Sequence, residues 1–181
     1  MPGQLGGPGV YKSAMSSAHV RYLFVEQLVG SAVVNLVLNA LIAWGVFGRL
    51  GVVPLWGQQS IAGDLVGTAF LLPFLTCVIV TPMARRQVVQ RGLGGLGWSR
   101  ASSPWLRLLP ASTVWRGAVL GVACVLAVAP FLVGTLDVVG IGAMSVRGFV
   151  IFKALVAGVL GAAVTPIIAL WAIAEMEPAP S

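Results

Sequence analysis

Four apolar runs, each of about the twenty residues a helix needs to cross a bilayer, constrain this chain more than any other feature. They fall near residues 24–47, 64–83, 117–136 and 150–173. In hydrocarbon every backbone N–H and C=O must find an internal partner, so the runs predict four transmembrane helices. A soluble fold is excluded by charge. Only 9% of the 181 residues are charged, against roughly 25% in soluble domains. Five acids and eleven bases do not coat the surface of a water-soluble fold of this size. The expected fold is all-α: a polytopic bundle of four helices.

The net charge of +6 points to the membrane and not to nucleic acid. Lys12, Arg21, Arg85, Arg86, Arg91, Arg100, Arg107 and Arg116 lie before the first span or between the second and third. The connections near 48–62 and 137–148 carry only Arg49 and Arg147. Bases gathered in short loops on one side set orientation, which predicts both termini in the cytoplasm of a bacterial plasma (inner) membrane. The first span is expected to stay as an uncleaved anchor. Trp44 and Trp56 fall at the expected outer boundary, and Trp98, Trp105, Trp115 and Trp171 at the inner one, as an aromatic belt requires.

The chain reads as two copies of one unit. Val52-Val53, Ser60, Gly63 and Thr81-Pro82 align with Val138-Val139, Ser145, Gly148 and Thr165-Pro166, with one gap. Each unit is a helical hairpin entering from the same side, so the pair is expected to obey a parallel pseudo-two-fold axis along the membrane normal. This divides the chain into a disordered Gly/Pro-rich start (1–20), a first hairpin (21–90), a basic, Trp-containing interfacial linker (91–116), a second hairpin (117–174) and a short tail (175–181). Within the linker, Ser103-Pro104 is a helix-start signature. Trp105, Leu106, Leu108 and Leu109 around Arg107 suit a segment lying at headgroup level.

The first span carries Gln27, Ser31, Asn35 and Asn39 at four-residue spacing. Such residues stack on one helix face, giving a polar ridge about 18 Å long. An amide alone in hydrocarbon costs several kcal/mol, so the ridge must face protein or water. Two arrangements meet that demand. In one the ridge packs, and the repeat nominates Gly117 and Gly121 of the third span as a GxxxG face to receive it. In the other the ridge, with Thr76, lines a pathway or solute pocket, since amides supply both donors and acceptors. A further small-residue face for helix packing runs along the fourth span through Ala157, Gly158, Gly161, Ala162 and Thr165. Pro73, Pro82, Pro130 and Pro166 predict kinks, with Thr76, Thr81 and Thr165 near enough to take up freed carbonyls.

Asp64 opens the second span and Lys153 sits about one turn into the fourth, both on the outer side at near-equivalent places in the repeat, which makes them a candidate ion pair against two strong separate readings. The separate readings are an Asp favoured by a helix N-terminus and a Lys snorkelling to the headgroups. Glu26 reads as a solvated or Arg21-paired acid at the inner boundary. Cys77 and Cys124 read as apolar packing groups.

Enzymatic machinery is not expected. His19 is the one histidine, no HExxH or nucleophile–histidine pattern occurs, and the GLGGLG run at 92–97 lacks the strand and lysine of a phosphate loop. No cofactor is implied. The expected function is that of a membrane-embedded subunit, scaffold or helper, marked by a small-residue face on Ala157, Gly161 and Thr165 left open for a partner. The alternative is an oligomeric permease or channel for a small neutral or weakly polar solute, marked by a cavity lined by Asn35, Asn39 or Thr76. The expected partners are the bilayer and either further copies of the chain or another membrane protein.

Overall fold

A computed structural model of the protein describes residues 17–92, 95–98 and 110–176. The disordered start expected over 1–20 falls mostly outside the described residues, as do the Ser103-Pro104 helix start, its Trp105–Leu109 continuation and the end of the tail.

The chain is a four-helix membrane protein. A short helix α1 (Ser17–Arg21) runs through one π-helical stretch, Tyr22–Gln27, into α2 (Leu28–Phe47). Strand β1 (Val52–Pro54) precedes α3 (Ile61–Gln90), and strand β2 (Ala143–Ser145) links α4 (Thr113–Val138) to α5 (Val146–Ala174). Four segments, Val25–Phe47, Ile61–Gln90, Thr113–Val138 and Val146–Ala174, are long and apolar enough to cross a membrane. The helices overrun the sequence-predicted spans because apolar length marks only the hydrocarbon-immersed part, whereas a helix continues to its caps. Pro82 therefore sits inside α3 and not near its end.

Those caps are written locally. Ser60 and Ser145, both extended, accept the N–H of Gly63 and Gly148 at 3.2 Å, satisfying N-terminal donors of α3 and α5. At the other ends, Gly92 (φ +65°) and Gly140 (φ +80°) supply the left-handed residue that stops α3 and α4. The two caps should differ in weight. Ser60 is buried and also donates to the Gly57 carbonyl at 2.8 Å, whereas Ser145 is exposed. Ser60→Ala should cost about 1–2 kcal/mol and Ser145→Ala about half that, read by thermal unfolding of purified protein. Equal losses would contradict the burial argument.

The strands were not expected from sequence. They pair antiparallel, with Val52 opposite Ser145, Val53 opposite Met144 and Pro54 opposite Ala143. Pro54 is tolerated because a two-stranded ribbon consists only of edges. Below the ribbon lies a core of Phe47, Val53, Leu55, Ile61, Leu65, Leu136, Val146 and Phe149, with Phe47 and Phe149 edge-to-face at 4.8 Å.

Helix α5 is the centre of the bundle. Of its most apolar window 61% is buried, against 6% for α2. It packs on both α2 and α3, and α4 packs on α3. Gly117 and Gly121 make that last contact. A Cβ at Gly121 would lie 2.8 Å from the Phe70 carbonyl oxygen, so only glycine permits this approach.

Candidate functional site

Because α5 is seated between them, α2 and α3 stand apart and leave a lengthwise cavity of about 650 Å³. Its walls are Val34, Leu38 and Ile42 of α2 and Leu71, Leu75, Ile79 and Met83 of α3. Gln27, Ser31, Asn35, Asn39 and Thr76 all line it, with Thr68, Thr165, Asp64 and Lys153. The polar ridge thus faces protein and this groove.

The ridge does not meet the third-span glycines, whose face is occupied by Phe70 and Phe74 of α3. Its receiving surface is α5. Ser31 Oγ donates to the Gly161 carbonyl at 3.1 Å, and a Cβ on Gly161 would lie 2.5 Å from Asn35 Nδ2. The sequence argument paired equivalent first helices across the axis. In the fold α2 packs instead on α5, where small residues also lie, and α4 packs on α3.

The small residues of α5 are consequently used inside the chain. Ala157, Gly161 and Thr165 are all buried, so the open face that would mark a helper is absent there among the described residues. Ala157 packs with Leu72, Cys77 and Leu160. Thr165 is 2% exposed, and its hydroxyl has no hydrogen-bond partner among the described residues. Thr165 therefore does not take up a carbonyl freed by Pro166, as its position had suggested.

The amides are half used. Asn35 Nδ2 donates to the Ser31 carbonyl at 2.9 Å and Asn39 Nδ2 to the Asn35 carbonyl at 3.0 Å. Their side-chain oxygens accept nothing among the described residues. Thr76 is likewise without a hydrogen bond there.

Both ends of the groove carry paired charges. At the end bearing the strands, Lys153 Nζ lies 2.5 Å from Asp64 Oδ1, and Thr68 Oγ1 lies 3.5 Å from Asp64 Oδ2. Lys153 is 3% exposed, so it neither snorkels nor meets solvent. Thr68 went unremarked in the sequence, although its four-residue offset from Asp64 is a readable signal. At the opposite, basic end, Glu26 is gripped by Arg91, not by Arg21, with Nη1 and Nη2 at 2.9 and 2.5 Å from the two carboxylate oxygens. The π-helical stretch turns Tyr22 inward, where its hydroxyl donates to Gln87 Oε1 at 2.8 Å and its ring lies 5.1 Å from the Arg91 guanidinium. Burial pushes the Tyr22 phenol above its ordinary value, against an opposing effect of Arg91, so the hydroxyl remains a donor at neutral pH. Gln27 also reaches Gln87 at 3.3 Å. These contacts strap α2 to α3 across the groove's basic end, and nothing in sequence spacing links residues so far apart in the chain.

Near that end Arg116, 3% exposed, and the more exposed Arg85 both reach Glu175. The backbone N–H groups of Leu96 and Trp98 donate to Ile173 and Ala174 carbonyls, closing the C-terminus of α5. Arg116 had read as an ordinary loop cation. In the fold it is a buried strut.

Comparison with protein-family models, with curated proteins and with solved structures finds no match for this chain.

Proposed function

We propose that this is a non-catalytic membrane protein that binds a weakly polar molecule from the bilayer in the groove between α2 and α3, and offers it a passage along the polar ridge. The carrying observation is the cavity itself. It is lined by Ser31, Asn35, Asn39 and Thr76, and its 650 Å³ falls in the range of small-molecule sites. The groove opens sideways, so its closure takes lipid, a second copy of the chain or another membrane protein. A helper role has one specific support, the unpartnered apolar face of α2 carrying exposed Val33, Val37, Leu41 and Trp44. Lipid covers such a face equally well, and the groove is the more particular feature.

The tandem repeat belongs to this reading. Its supports are the matching serine caps, the pairing of one unit's strand with the other's, and the reciprocal packing of α2 on α5 and α4 on α3. Arg21, Arg85, Arg86, Arg91 and Arg116 gather at the basic end, which we place in the cytoplasm of a bacterial inner membrane, with both termini.

Cysteine accessibility tests the groove. In a background with Cys77 and Cys124 replaced by alanine, Asn35→Cys and Asn39→Cys should react with a small water-soluble maleimide. Val37→Cys, on the outward face of α2, should not. Complete protection at both groove positions would remove the pathway and leave packing as the role of the ridge.

A further inference from the structure

We infer that the molecule held in the groove is a long, uncharged amphiphile whose polar group is a hydroxyl, seated partway along on Asn35 and Thr165. The inference rests on the groove being the binding site.

Charge is the first argument. The ionisable side chains lining the groove are Glu26, Asp64 and Lys153, and each already has an opposite partner: Arg91 for Glu26, and Asp64 and Lys153 for one another. An ionised ligand would lie between leucines and isoleucines with no counter-charge, which strongly disfavours it. A neutral molecule meets no such penalty.

Shape is the second. From Gln27 to Ile42 the groove follows about 22 Å of helix, a large part of the hydrocarbon thickness. Leu38, Leu71, Leu75 and Ile79 form lips that face lipid, so an extended apolar chain can enter sideways without leaving hydrocarbon. A compact polar solute would leave most of this wall uncovered.

Hydrogen-bonding capacity decides the polar group. Asn35 and Asn39 each commit one of two amide N–H groups to a backbone carbonyl, and their side-chain oxygens stay free as acceptors. Thr165 lines the cavity and carries a buried hydroxyl that has no hydrogen-bond partner among the described residues. The floor therefore presents acceptors beside a group able to donate. A ligand hydroxyl meets both, giving its proton to Asn35 Oδ1 and accepting from Thr165 Oγ1. A ketone or quinone carbonyl would satisfy Thr165 and leave the amide oxygens unmet, and an amine would arrive charged.

The test uses the full chain, purified in detergent and examined by native mass spectrometry with three probes of matched chain: oleyl alcohol, octadecene and oleate. Oleyl alcohol should be retained at least about tenfold better than either of the others, a difference of about 1.4 kcal/mol. Thr165→Val preserves side-chain shape and should erase that preference, as should Asn35→Leu. Gly67→Phe serves as an independent block, since Gly67 lines the groove and has open space where its side chain would grow. It should weaken all retention. Equal retention of the three probes, still lost in Gly67→Phe, would overturn the hydroxyl assignment and leave the groove standing. Retention unchanged by Gly67→Phe would overturn the groove and this inference with it.

Discussion

Lys153→Met should destabilise the folded protein by about 3–5 kcal/mol, because it strands the Asp64 carboxylate in a buried site. The two side chains are 4% and 13% exposed, and their nearest atoms are 2.5 Å apart. Thr68 is the one other described group within hydrogen-bonding reach of Asp64, and at 3.5 Å it is no substitute for a cation. Removing both charges should be far milder. The Asp64→Leu, Lys153→Met double variant should return to within about 1 kcal/mol of the parent, the remaining loss being the favourable placement of an acid in the first turn of α3. Unfolding in graded denaturing detergent measures both. A single variant as stable as the parent would mean that the pair is solvated, and a double variant no better than the single would mean that the charges do not act as a pair.

Gly121→Leu should separate α3 from α4. The atom facing the absent side chain is the Phe70 backbone oxygen, which has no rotamer to yield, and the Phe70 ring lies equally close at 2.8 Å. Overpacking of this kind costs about 1–3 kcal/mol where neighbours can shift and more where backbone must move. Gly134→Leu, on the same helix with nothing within 4 Å of the added atom, is the control and should change stability little. The same denaturant series reads the two. Comparable losses would mean that the close approach of Phe70 is not what excludes a side chain at Gly121, since leucine is the better helix former at both sites.

The ridge shows where reading along the chain stops. Its residues are legible because a four-residue spacing fixes a helix face whatever the surroundings. Its partner is not, because two glycine-bearing helices were available and neither sequence says which neighbour it adopts. The strand pair illustrates a second limit. Val52–Pro54 and Ala143–Ser145 are three residues each, too short for any period to register, and they extend only because they meet. The strap of Tyr22, Glu26, Gln87 and Arg91 is a third case, joining groups more than sixty residues apart.

What the sequence determines unaided is what depends on each segment's exchange with its solvent: four membrane helices and a polar edge that must be hidden. Those follow from hydrocarbon immersion and backbone hydrogen bonding, which act locally. Tertiary structure alone decides that α5 takes the centre, that Gly161 and not Gly121 lies against Asn35, and that α2 and α3 are held apart to leave a groove. These depend on which surfaces fit one another, and the fit is a property of pairs of helices that no single helix encodes.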